Sequence, residues 1–346
     1  MELGIYTFAE NTPLVETGKP LHPADRLEIL MQEAEMADKL GLDVFAIGEH
    51  HREEYVSSAP SVILGTIASR TRKIKLSSAV TVLGSEEPVR VFQQYATLDL
   101  LSKGRAEIMV GRGSFIESFP LFGYDLQNYE ELFEEKLQQL LAIRENEVLN
   151  WKGKHTPDVE SRGVYPRPYQ QKIPIWRAVG GTPQSAYHTG ALGLPMAIAI
   201  IGGFPEQFTP MVELHKRGAL DAGKEPQAVS INSHGFIAET RKEAIDVAFP
   251  AFKTQMDRIG RERGWPPMTR EQFEASCTLR GANVVGSAED VIEKILYQHK
   301  IFGHSRFLLQ MSVGSISHEK LLRSIELYAN EVAPAVREEI SKPVER

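Results

Sequence analysis

A single cysteine, Cys277, stands in a chain of 346 residues, so no disulfide can close within it, and a reducing compartment suits it. Its simplest role is that of a structural thiol. Nowhere does an apolar run reach the roughly 18 residues of a membrane span, and even residues 190–203 carry Pro195 and four glycines. The first ten residues, MELGIYTFAE, enter an apolar strand pattern with no basic segment ahead of it. No signal peptide is therefore expected, and the expected location is the cytoplasm. A basic block is missing as well: the net charge is -7 and aromatic residues do not alternate with arginines, which speaks against nucleic acid as a partner.

Several cofactor and nucleophile signatures are also lacking. The first strand is not followed by Gly-x-Gly-x-x-Gly, and neither a Gly-Lys-Ser/Thr phosphate loop nor a Gly-x-Ser-x-Gly elbow occurs. These absences remove the dinucleotide fold, the P-loop and the serine hydrolase. For a metal the ligands are poorly spaced. His50 and His51 are neighbours, so on extended backbone they point apart, and His234 lies in a strand with no evident carboxylate partner. No metal site is expected.

What the chain does have is a core, with 42% hydrophobic and 25% charged residues. Eight apolar segments read as strands: 3–8, 44–47, 74–83, 106–110, 173–179, 196–201, 229–238 and 307–311. Helical patterns alternate with them at 25–40, 59–69, 88–101, 129–146, 184–191, 206–222, 241–263, 287–297 and 318–336. Such alternation over the whole length predicts a (β/α)8 TIM barrel, an α/β fold, as one domain over 1–346. Two stretches interrupt it, an irregular segment or short hairpin at 151–172 and an inserted segment at 264–280. A doubly wound sheet would need two halves or a break in composition, and neither is found. In a barrel, ligand-facing residues gather at the carboxyl ends of the strands.

Candidates stand at those ends. The fourth strand runs into Gly111-Arg112-Gly113, which offers amides and a cation to a phosphate or carboxylate, or is simply a turn with a solvated arginine. After the fifth strand, Gly181-Thr182-Pro183-Gln184-Ser185 opens a helix, either as a plain cap by Thr182 or as a cap that also grips phosphate with Thr182 and Ser185. His50 follows the second strand beside Glu49, as an active-site proton carrier or a lone buried histidine. Ala79 and Val80 lie late in the third strand. The apolar loop from Phe115 to Tyr124 reads as a lid, a substrate wall or a dimer contact.

Taken together, Leu3-Gly4-Ile5-Tyr6, Gly48-Glu49-His50-His51, Pro88-Val89-Arg90, the run from Leu98 to Arg105, Gly111-Arg112-Gly113, Gly193-Leu194-Pro195-Met196 and the run from Leu322 to Tyr328 closely resemble the bacterial luciferase-like, flavin-dependent monooxygenases. The resemblance covers almost the whole chain. It implies a barrel that takes reduced FMN from a separate flavin reductase, uses O2 to form a flavin C4a-peroxide, and presents a small organic substrate to it. It further implies that Arg112, Thr182 and Ser185 bind the flavin phosphate, with Gly181 in the place of a contributing glutamate. His50 matches the family's catalytic histidine, and Ala79-Val80 a non-proline cis peptide behind the flavin ring. Gly111 replaces the reactive cysteine of true luciferase, which makes light emission from a long-chain aldehyde doubtful. A homodimer is expected. Two relatives of that kind differ in chemistry: deazaflavin-dependent oxidoreductases transfer hydride without O2, and some flavin-binding barrels are not catalytic.

Overall fold

The computed structural model describes residues 1–342. Eight parallel strands form the barrel: β1 (Glu2–Thr7), β2 (Val44–Ile47), β3 (Lys75–Ser78), β4 (Ala106–Gly111), β5 (Ile175–Val179), β6 (Met196–Ala199), β7 (Val229–Ile237) and β8 (Arg306–Gln310). Each pairs with the next, and β8 pairs back onto β1, so the ring is closed. This is the TIM barrel expected from the alternation of strands and helices. Among the described residues no helix is long and apolar enough to cross a membrane.

Nine longer helices wrap the ring: α1 (Pro23–Leu40), α2 (Pro60–Arg70), α3 (Pro88–Ser102), α4 (Tyr129–Glu145), α5 (Pro183–Leu192), α6 (Thr209–Asp221), α7 (Arg241–Arg263), α8 (Ala288–Phe302) and α9 (His318–Leu327). Four of them begin on proline, where the missing N–H would have had no helical partner. Strand parity divides the core in two. Leu3, Ile5, Phe45, Ile47, Ile108 and Ile231 point outward into the layer between strands and helices. Tyr6, Val44, Ala46, Met109, Trp176, Ala197 and Leu308 fill the interior of the ring.

Departures from the predicted elements are local. The third strand is shorter than the apolar run 74–83, because the peptide between Ala79 and Val80 is cis and the chain rejoins β4 only at Thr81 and Val82. The segment 151–172 does hold half of a hairpin, whose strands are Val148–Trp151 and Val159–Gly163. A helix, Arg270–Ser276, lies within the inserted 264–280. A three-residue strand, Val284–Gly286, extends β7 beyond the ring and was too short to leave a periodic signal. The terminal helical stretch continues past Val336 to Ser341 through a π-helical segment at Tyr328–Val332.

Candidate active site

The carboxyl end of the barrel opens into a cavity of about 270 Å³, walled mainly by Tyr6, Phe8, Ala79, Val80, Met109 and Ile201. Ala79 and Val80 form one side of it, with the cis bond between them. Gly111 faces Val80 so closely that a Cβ there would lie 2.8 Å from the valine Cγ2. The valine thus takes the room that a side chain at position 111 would need. This accounts in packing terms for glycine, rather than cysteine, at the end of β4.

His50 is buried and lines the same cavity. Its ring stacks on Tyr55 at 4.3 Å between centroids and meets the edges of Phe8 at 4.4 Å and Phe115 at 5.3 Å. Burial in this aromatic cage, with help from His51 and Arg52, pushes its pKa down to about 3, so the imidazole is neutral at pH 7. Sequence adjacency suggested Glu49 as its partner, but the carboxylate reaches His51 instead, with Nε2 to Oε1 at 2.9 Å. Residues i and i+2 share a side of extended backbone, whereas i and i+1 do not. The second carboxylate oxygen accepts from the Val82 amide at 2.8 Å, so Glu49 ties β2 to the chain just beyond the cis bond. His51 is held above its usual pKa by that hydrogen bond to Glu49.

Arg112 lies at the cavity rim, with its Nη2 3.4 Å from Thr182 Oγ1 and its Nη1 3.1 Å from Glu130 Oε1. Two residues predicted from separate strands are therefore in contact. Tyr129 holds the loop in place, donating from its hydroxyl to the carbonyls of Arg112 at 2.9 Å and Gly113 at 3.2 Å. Thr182 sits at the N-cap of α5, yet its hydroxyl makes no capping bond and turns toward Arg112. Around Gly180 and Gly181 there is open space where side chains would project, and Gly181 has φ +118°, a conformation that L side chains rarely adopt. Ser185 lies one turn into α5, its amide bonded to the Thr182 carbonyl. An arginine, a hydroxyl and a bare helix start fit a phosphate, and the apolar wall at Ala79-Val80 fits a planar ring.

Over His50 the loop after β4 forms a cover. Phe115 packs beneath the guanidiniums of Arg52 and Arg263, 4.6 Å and 5.7 Å from its ring centre. Arg52 binds Glu54 at 2.7 Å, Glu117 at 2.6 Å and Glu262 at 2.9 Å, and so joins the loops after β2 and β4 to the end of α7. Of the aromatic loop, which includes the helical turn Ser118–Phe122, Phe115 meets His50 while Ile116, Leu121 and Phe122 are exposed. Among the polar lining residues, Asn232 on β7 was not singled out in the sequence, and His234 on the same strand was weighed there only as a metal ligand. With Ser230 they form a polar set at alternate positions of the strand, while Val229, Ile231 and Ile237 belong to the outer core, a pattern that could have marked them.

The chain matches the model of the luciferase-like monooxygenase family over residues 1–305. It is 22% identical over 366 aligned positions to the oxygenase component of a flavin-dependent trigonelline monooxygenase from Acinetobacter baylyi, covering 98% of this chain and 96% of that one. Among solved structures it is similar to the oxygenating constituent of 3,6-diketocamphane monooxygenase from Pseudomonas putida in complex with FMN, at TM-score 0.78 and 19% identity over 97% of this chain and 98% of that one. An F420-dependent secondary alcohol dehydrogenase has the same fold, at TM-score 0.75 and 19% identity over 97% and 99% of the two chains. Relatives of this shape thus include users of FMN and of F420, and the matching model identifies this chain as a member of the luciferase-like monooxygenase family.

Proposed function

We propose that the protein is an FMN-dependent monooxygenase that takes reduced FMN from a separate flavin reductase and acts on a small organic substrate with O2. The observation that carries this reading is the meeting of Arg112 and Thr182 at the start of α5, beside an apolar cavity that ends on Ala79-Val80. Arg112, Thr182, Ser185 and the amides around Gly181 would hold the phosphate, and Ala79-Val80 would back the ring. When bound, reduced FMN supplies the two electrons that activate O2.

The remaining work falls to the chain. Phe8, Tyr55 and Phe115 exclude water around His50, and its neutral imidazole can accept or release one proton there at neutral pH. We take FMN rather than a deazaflavin with a longer anionic tail as the cofactor, because exposed Glu130 stands on Arg112 at the rim. His50 in the cavity weighs against a flavin-binding protein without catalysis. We read residues 1–346 as one domain and expect a cytoplasmic homodimer, with exposed Val62 of α2 and Leu101 of α3 available to a second copy.

Anaerobic titration with reduced FMN and, separately, reduced deazaflavin tests the reading. Preferential binding of reduced FMN, followed by O2 uptake on admitting air, supports the monooxygenase. Binding of the deazaflavin alone would replace it with hydride transfer. In His50→Ala, reduced FMN should still bind while hydrogen peroxide release per O2 rises.

A further inference from the structure

Asn232 and His234 face the cavity from β7 and are 6% and 7% exposed. Glu49, His50, Arg112 and Tyr129 line the same cavity and have roles already described, whereas the assignments above give Asn232 and His234 no task. In a closed ring of eight strands, β7 stands four places from β3, directly across the interior from the Ala79-Val80 wall. Whatever lies against that wall presents its other side to Asn232 and His234.

Their hydrogen bonds are half made. Ser230 donates its hydroxyl to Asn232 Oδ1 at 2.8 Å, which fixes the amide and leaves Nδ2 as a donor. His234 Nδ1 is sealed from solvent with no partner among the described residues, and the ring packs edge-on to Phe252 at 5.7 Å. Buried away from any acid, the ring is neutral at pH 7. A sealed position is better tolerated as a bare acceptor than as an orphan N–H, so the ring proton belongs on Nε2. One strand face therefore offers two donors about two residues apart, some 7 Å between Cα atoms. Neither donor atom is among the sealed ones and neither has a hydrogen bond within the described residues, so both are free to serve a ligand in the cavity.

We propose that Asn232 and His234 are the polar anchor for the substrate, and that the substrate is a compact apolar ketone or aldehyde whose carbonyl oxygen accepts from both. A carbonyl has two lone pairs and no proton, which suits two donors better than a hydroxyl does. The rest of the molecule can lie against the apolar part of the lining, Phe8, Met109 and Ile201. The inference rests on reading this cavity as the oxygenation site. The carbonyl is thereby held across the ring from the wall that backs the flavin, which fixes which face and which carbon are presented.

The test uses the full chain with reduced FMN under argon and two probes of nearly equal shape, cyclohexanone and methylenecyclohexane, with affinities from ligand-observed NMR. The ketone should bind roughly tenfold more tightly, because the hydrocarbon leaves both donors unpaired. N232L and H234F should each lose most of that preference while keeping their affinity for reduced FMN within about twofold, and thermal melts confirm that they fold. In the wild-type protein the side-chain ¹⁵N resonances of His234, assigned by their loss in H234F, should move with the ketone and not with the hydrocarbon. Equal affinity for the two probes, or a preference that survives both substitutions, would overturn the proposal. So would a tenfold loss of reduced FMN affinity in the variants with the probe preference intact, which would assign the pair to the cofactor. If reduced FMN fails to bind while the preference and the His234 shift persist, the anchor stands and the flavin reading falls.

Discussion

The two ends of the barrel both bury polar side chains, but they treat them differently. At the amino end, Arg306 is enclosed and makes a two-pronged bond to Glu107, at 2.7 Å and 3.0 Å, and a third contact to Glu2 at 2.7 Å. Its guanidinium also lies 4.2 Å from the centre of the Trp176 ring, and Lys75 closes the set on Glu2 at 2.5 Å. Each charge there has its counterpart. At the carboxyl end His50 is caged by Phe8, Tyr55 and Phe115, and within the described residues Asn232 Nδ2 and His234 Nε2 make no hydrogen bond. A plug that satisfies its own charges holds the ring shut, whereas a cavity with unspent hydrogen-bonding groups is built to be completed from outside.

The sharpest way to break this comparison is at the plug. Arg306→Met should lower stability by about 3 kcal/mol, since buried Glu107 then keeps only Lys75, 3.4 Å away. Urea unfolding at pH 7 measures it, and the double change Arg306→Met with Glu107→Leu should recover most of the loss. If the single change costs under about 1 kcal/mol, the plug is not a stabilising device. The corresponding change at the open end is Arg112→Ala. Here reduced FMN should bind about 10- to 100-fold more weakly, the worth of a charged hydrogen bond of about 1.5–3 kcal/mol, with little change in the unfolding midpoint. Loss of stability without loss of binding would place Arg112 in the scaffold.

Much of this architecture was legible beforehand because barrel strands are buried on both faces and read as short apolar blocks between amphipathic helices. The positions of Arg112, Thr182 and His50 then followed from one rule, that sites collect at strand carboxyl ends. Side-chain pairing was not legible. Glu49 adjoins His50 in sequence and binds His51 in space, and that depends on the local backbone rather than on residue type. His234 was weighed only as a metal ligand, because a lone histidine in a strand carries no other signal until Asn232 and His234 are seen to face a cavity together. The break of the third strand at Ala79-Val80 was likewise invisible in its β-branched run; the family resemblance, not the periodicity, pointed to it.

Acid should act on the two ends with the same sign but in different ranges. His50 and His234 are neutral in the fold, with pKa values pushed down to about 3 and about 4 by burial, against about 6.5 unfolded. Below pH 6.5 the unfolded chain binds protons that the folded chain refuses, so stability falls by up to about 1.4 kcal/mol per pH unit for each histidine. The carboxylate of Glu2 is partly buried, which alone would raise its pKa, but Arg306 and Lys75 hold it below 4.5, so its contribution is lost only at lower pH. Urea titrations at pH 6.5 and 5.5 should therefore show His50→Phe losing about 1 kcal/mol less than the wild-type protein over that step. Parallel losses would mean that the imidazole is charged in its cage.

The smallest effect separates two readings of one residue. As a plain helix cap, Thr182 would stabilise α5 by about 0.5–2 kcal/mol by accepting on its hydroxyl oxygen a hydrogen bond from an amide N–H of the first turn. No such bond is present, and the hydroxyl lies 3.4 Å from Arg112 instead. Thr182→Val keeps the shape of the side chain and removes only the hydroxyl. A grip on phosphate predicts a loss of about fivefold in affinity for reduced FMN, near 1 kcal/mol, and an unfolding midpoint within error of the parent. A cap predicts the reverse, because the amide it served would go unpaired while the arginine still held the anion. The pair of measurements decides whether the open end begins at α5 or only at Arg112.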